Sequence, residues 1–242
     1  TLFRSELVFT AFSGSHQDAI NKGVTYMAKN GSKYWEVPYL PVDPADLGRQ
    51  YEPIIRINSQ SGKGGAAFVM QRYFGYTLPK QMHAEFGAAV QAVCDREGRE
   101  LKAEEVYQIF RREYLRVHAP YDLKRYRLFE ENEKLDRVLV YFDGVLSVNG
   151  CDRQLSGRGN GPIDAFFNAL STVGIAGYRF VSYSEHAVST GADSKAVSYI
   201  ELSRGDETIF GVGLDHNISL SSIKGILCAI NRFERRAGAE NM

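Results

Sequence analysis

The 242-residue sequence is short of several things at once. Its 29 Lys and Arg are matched by 29 Asp and Glu, so no net charge is left over. Neutralising nucleic-acid phosphates needs a cationic excess, and the balance excludes that as the main business of the chain. No apolar run approaches the roughly 18 residues of a membrane span, and no charged-then-apolar leader opens the sequence. Only three cysteines occur, Cys94, Cys151 and Cys228. They are far apart and odd in number, with neither zinc spacing nor a disulfide framework, so a reducing cytoplasm is the expected setting. The acidic residues show no paired or metal-ligand spacing, and His-x-His does not occur.

What is present reads as an ordinary globular chain, 44% hydrophobic and 24% charged, long enough for one large domain or two to three small ones. "ELVFTAF" reads as a short strand or extended arm. Ser15 with Asp18 three residues on resembles a capping box that starts a helix through "HQDAINKGVTYMA". "WEVPYLPVDPADLGRQY" is proline-rich and stiff, with Asp43-Pro44 suited to opening a short helix. Helical stripes then run through Ala66, Val69, Met70, Tyr73 and Phe74, closed by Gly75; through Leu78, Met82, Phe86, Val90 and Val93; and through Val106, Ile109, Phe110 and Tyr114.

After "HAPYDLK" the period becomes alternating. "RVLVYFDGVLSV" sets Val138, Val140 and Phe142 on one face, and a helix follows with Ile163, Phe166, Phe167, Leu170 and Val173 inward. Strands at "YRFVSYSEHAV", "AVSYIELSR" and "TIFGVGL" lead into a second helix, "SLSSIKGILCAINRF". The expectation is an α+β fold: a helical portion, then a duplicated strand-strand-strand-helix domain whose two sheets are each covered by one helix. The expected divisions are 1–52, 53–118 and 119–242.

Candidate chemistry is sparse. "NSQSGKGGAAF" lacks the leading glycine of a phosphate loop and reads as a tight connection in which glycines let the backbone pass close to another element. "GRGNGP" reads as a loop with positive backbone angles at Gly157, Gly159 and Gly161, or as an effector pocket at a helix start. His16, His83 and His186 read first as hydrogen-bonded scaffolding. Tyr39, set among prolines, is a rigidly presented phenol whose commoner fate is burial. "REYLR" and "RFERR" read as solvated helix faces.

"LVFTAFSGSHQDAINKG", "WEVPYLPVDPADLGRQYEPIIRINSQSGKGG", "GRGNGPIDAF" and "YSEHA" together resemble the longer type of 2-isopropylmalate synthase over nearly the whole chain; "TLFRS" at the start does not. The resemblance implies the C-terminal portion of such an enzyme, its linker subdomains and leucine-binding regulatory domain, with the catalytic (β/α)8 barrel lying ahead of this sequence. It implies condensation of acetyl-CoA with 2-oxoisovalerate, feedback inhibition by leucine, and a cytoplasmic homodimer that engages neither nucleic acid nor membrane. It puts the divalent metal (Mg, Mn or Zn) in the absent barrel and no metal on this portion, which alone should not turn over. His16 and Tyr39 match the family's active-site linker residues. Ile163, Asp164, Phe180, Tyr183 and Ala187 match positions lining the leucine pocket, with Phe180 bulkier than the aliphatic residue of the family. Two other readings stand beside it: a free-standing amino-acid-sensing or interaction module, and a citramalate synthase-type relative.

Overall fold

A computed structural model describes residues 14–31, 34–48, 57, 62–134, 137–191 and 193–240. "ELVFTAF" and the stretch 58–61 lie outside the described residues, as do the side chains of Ser15, Asp18 and Val138. The chain forms two compact units, 1–110 and 111–242. Among the described residues no helix is long and apolar enough to cross a membrane.

In the first unit, helix α1 runs Gly14–Asn30. The stiff segment after it lies along this helix. Ile20 on α1 joins Val37 and Leu40 in a small core, backed by Val24, Met27 and Trp35. The Trp35 indole donates to the Leu40 carbonyl at 2.8 Å, and a Cβ on Gly23 would sit 2.8 Å from the Pro38 ring. A glycine is therefore what lets this strap approach the helix so closely. As the sequence implies, Asp43 caps a short 3-10 helix, Pro44–Leu47, by accepting from the Ala45 N–H at 2.9 Å.

The three stripes form α2 (Gly62–Phe74), α3 (Met82–Glu97) and α4 (Ala103–Phe110). Val69, Met70, Phe86, Val90, Val106 and Phe110 are buried, whereas Tyr73 is exposed. The glycines of "GKGG" do not form a close-passing loop: they open α2, and a Cβ on Gly64 would meet nothing.

The second unit opens with a π-turn, Arg111–Leu115, in which the Arg116 N–H reaches the Arg111 carbonyl at 2.8 Å. Tyr114 is buried in it and accepts from the Cys228 thiol. This packing ties the end of the expected helix to the second unit, so the unit begins before residue 118.

Two three-stranded antiparallel meanders follow: β1 (Tyr121–Lys134), β2 (Arg137–Val148) and β3 (Cys151–Gly159), then β4 (Arg179–Ala187), β5 (Ala196–Arg204) and β6 (Glu207–Asp215). Helix α5 (Pro162–Thr172) covers β2 and β3, and α6 (Ile218–Glu240) covers β5 and β6. Phe142, Leu155 and Phe166 of one half share a core with Ile200, Ile226 and Phe233 of the other. The architecture is α+β and duplicated, as the strand and helix periods imply.

The loop reading of "GRGNGP" is corrected. Gly157 and Gly159 lie inside β3, and neither they nor Gly161, which is extended at φ −171°, has a positive φ. A Cβ on Gly157 would strike the backbone of Ala165 and Ala169, and one on Gly159 would lie 2.5 Å from the Ala165 nitrogen. These glycines let α5 rest on bare main chain. Gly211 and Gly213 of β6 do the same beneath α6, against Ser221, Gly225 and Ala229. The repeated Gly-x-Gly is the clearest internal mark of the duplication.

Candidate functional site

Two groups of residues stand out, one in each unit. In the first, His16 on the first turn of α1 stacks on Tyr39, with ring centroids 4.0 Å apart and planes 28° from parallel. The strap over Gly23 brings them together. Tyr39 has φ 65°, a left-handed backbone that a tyrosine adopts only under constraint. Val37 and Leu40 on either side are buried while Tyr39 itself is 60% exposed, so burial of its neighbours turns the phenol outward. The expectation that it would be buried fails; a rigidly presented phenol is what is found. His16 is also exposed. His83, by contrast, is scaffolding: its Nε2 lies 3.0 Å from the Leu78 carbonyl before α3. His186 stacks on Tyr199.

The second group lies on β4. In a regular strand, residues three apart face opposite ways, so Phe180 and Tyr183 should be separated. A bulge between Phe180 and Ser182 inserts one residue and restores them to one side. Phe180 pairs with Leu202 and Tyr183 with Ile200, and both partners are fully buried. Their rings are 6.4 Å apart. Glu185 and Ala187, two and four residues further, continue the same face. On β5 and β6 this face is roofed by α6; at the edge strand β4 it is open, and Phe180 is 41% and Tyr183 40% exposed. Phe167 of α5 meets Phe180 at 6.1 Å, edge to face, and Ile163 lies one helical turn before Phe167 on the same face of α5.

Of the five residues matched to an effector pocket, Phe180, Tyr183 and Ala187 thus share the open face of β4, and Ile163 lies on α5, whose Phe167 meets Phe180. Asp164 does something else. Its Oδ2 accepts from the Asn160 N–H at 2.9 Å, closing the turn between β3 and α5.

The cleft also holds residues that the sequence reading did not single out. The Tyr183 hydroxyl donates to Glu185 and lies 3.2 Å from the Ser222 hydroxyl. Ser222 is 3.2 Å from Ser198, which is 2.7 Å from Ser221. A file of hydroxyls therefore runs from the buried interior to a carboxylate at the surface. Partial burial, and then the bond to Glu185, push the Tyr183 phenol above its ordinary pKa, so it is a neutral donor at pH 7. The signal was the density of serines in "SYSEH" and "SLSS", which alone does not say which ones meet.

Among the described residues no three His, Cys, Asp or Glu side chains converge as a divalent ion would need.

A helical unit presenting an exposed imidazole–phenol stack is thus followed by a glycine-packed, duplicated α+β unit with an open strand edge, and the two define a composite chain. Residues 6–71 match the family described as "Alpha-isopropylmalate synthase, post-catalytic domain-like", and residues 100–234 match the "LeuA allosteric (dimerisation) domain". The chain is 49% identical over 231 residues to the 2-isopropylmalate synthase of Clostridium acetobutylicum, covering 95% of this chain and 41% of that protein. With the enzyme of Pseudomonas syringae pv. tomato it shares 44% identity over 236 residues, 97% of this chain and 40% of the relative. With that of an Azoarcus strain it shares 46% over 233 residues, 96% and 39% respectively. The chain belongs to the 2-isopropylmalate synthase family, with its post-catalytic and LeuA allosteric domains. It spans about 40% of the length of the curated relatives it matches.

Proposed function

We propose that this chain supplies the linker and leucine-sensing parts of a 2-isopropylmalate synthase, which joins acetyl-CoA to 2-oxoisovalerate and is inhibited by leucine. The observation that carries the reading is the β4 cleft, where a bulge collects an aromatic floor, a neutral phenol and a carboxylate on one open face. A leucine side chain would lie on Phe180, Phe167 and Ile163, while its ammonium group meets Glu185 beside the Tyr183 hydroxyl. Its carboxylate would face the first turn of α5, the positive end of that helix. An edge cleft this open is completed by a second copy of the unit, in keeping with a homodimer. The larger Phe180 narrows the space for a branched side chain.

In the condensation, His16 would move a proton at a ring nitrogen. Tyr39, locked in position, would donate its O–H to the negative charge that develops on oxygen. The chemistry also requires groups this chain does not carry.

Calorimetry of the chain with leucine tests the sensing role. Saturable binding is expected, with Tyr183→Phe weakening it; heat with another amino acid and none with leucine would redirect the assignment. For the catalytic role, His16→Asn in the full-length enzyme should lower kcat by about a hundred-fold or more, the usual scale for a lost acid–base group. Unchanged turnover removes His16 from the reaction.

A further inference from the structure

The duplication has a consequence on the opposite edge of the second unit. Strand β1 is to the first sheet what β4 is to the second: the first strand of its meander, paired on one side only. Its ladder also carries a bulge, between Leu123 and Arg125. Leu123 and Tyr126 thus stand where Phe180 and Tyr183 stand in the second half, three residues apart and on one face. Leu123 and Tyr126 face the same core. The glycine contacts align the helices: Gly157 packs on Ala165 and Ala169 of α5 as Gly211 packs on Gly225 and Ala229 of α6. That alignment equates Phe167 with Leu227 and Asp164 with Lys224.

At this place the structure holds a cavity of about 370 Å³, within the range of small-molecule sites. Leu123 and Tyr126 of β1 form one wall, and Leu220, Lys224 and Leu227 of α6 form another. Tyr114 and Cys228 line its inner part. The ionisable groups along it are Lys124, Arg125, Lys224, His118 and Asp122. Asp122 is engaged by Lys124 at 2.7 Å and faces His118 at 3.6 Å, while Lys224 is held by Asp215 at 2.6 Å. Cations outnumber the one carboxylate of the lining, and the walls combine leucine and valine side chains with the rings of Tyr114, Tyr121 and Tyr126.

We propose that this cavity is a second ligand site, the twin of the β4 cleft, and that it takes a small carboxylate carrying a short branched aliphatic chain. Leu123, Leu220 and Leu227 receive the chain, and Lys224, giving up its bond to Asp215, receives the carboxylate. The site stands on its own lining and does not depend on what occupies the β4 cleft.

The test is methyl NMR of the 242-residue chain with labelled Leu and Val, titrated with leucine, valine, isoleucine, 2-oxoisovalerate and 4-methyl-2-oxopentanoate. The amino acids and 2-oxo acids separate the two sources of such a group. At least one should saturably shift the methyls of Leu123, Leu220 and Leu227. Lys224→Met, which keeps the aliphatic stem on an exposed position, should weaken that response about ten-fold or more, the scale of one charge-assisted hydrogen bond. Leu220→Trp should abolish it, and Phe180→Ala should leave it unchanged. The proposal is overturned if no compound moves these methyls at millimolar concentration. It is equally overturned if the shifts persist in Leu220→Trp or vanish in Phe180→Ala. With Ile labelled as well, failure at the β4 cleft would show instead at the Ile163 methyls, so the two readings fall separately.

Discussion

Single residues here are constrained most tightly where they have no side chain. A Cβ at Gly213 would fall inside the carbonyl of Ser221, so Gly213→Ala must push α6 off its sheet. We expect a loss of about 3 kcal/mol or more in denaturant unfolding, or no folded protein, as overpacking against main chain gives no flexible atom to yield. Gly64→Ala is the control: a helix position with open space around it, where alanine should add up to about 1 kcal/mol. A different residue effect concerns charge. Arg99 grips Glu105 with two hydrogen bonds, of 3.1 and 2.6 Å, and the Lys102 N–H adds a third at 2.9 Å. The Arg99 bond, then the backbone bond, hold the Glu105 carboxyl down to about 2. Because the folded value lies below the unfolded one, the pair's contribution is complete above about pH 4.3 and fades as pH falls toward 2. An NMR titration of the Glu105 carboxyl should show this low midpoint, and Arg99→Ala should return it to the ordinary carboxylate range.

Elements were legible where their period was unbroken. Most of the stripes of α2, α3 and α4 bury as their spacing implies, Tyr73 being exposed, and the 3.6-residue repeat holds up to the π-turn at Arg111. β3 was not legible: glycine normally signals a turn, and only the helix lying against Gly157 and Gly159 explains why a strand should carry them. β1 was hidden by its own bulge, since the shift at Lys124 breaks the alternation of Leu123, Tyr126 and Leu128. The same device in β4 explains why Phe180, Tyr183 and Ala187, matched by resemblance, share a face that strict alternation denies them. The resemblance also supplied Asp164, whose carboxylate accepts from the Asn160 N–H in the β3–α5 turn. At this scale Asn231 is the residue to test. Fully buried on α6, it accepts from the Tyr121 N–H at 2.9 Å and donates to the carbonyls of Val117 and Tyr121 at 3.1 and 2.8 Å. It clamps the start of β1 to the helix of the other half. Asn231→Ala leaves those backbone groups unpaired and should cost about 2–4 kcal/mol in chemical denaturation.

Across the whole molecule, the two units differ in what they expose. The first displays an aromatic pair on a strained turn; the second leaves apolar side chains open along β4, where Phe180, Val181 and Tyr183 are 40–50% exposed. Exposed apolar surface on a strand edge invites a partner, and the LeuA domain is described as a dimerisation domain. Sedimentation of the chain should therefore reveal a dimer, and Phe180→Glu should shift it toward monomer without unfolding it; a monomer at every concentration in the unaltered chain would count against that assembly.

The bare-backbone seating of α5 and α6 limits how the second unit can respond to any bound molecule. With main chain pressed on main chain at each Gly-x-Gly, a helix has little room to slide, so each helix should travel with the strands beneath it. Any response to ligand should therefore fall at the seam between the halves, where Asn231 of α6 binds the start of β1. Amide exchange should be slowest along the central strands β2 and β5 and respond to ligand chiefly at that seam, making the duplicated unit a pair of stiff plates on a common hinge.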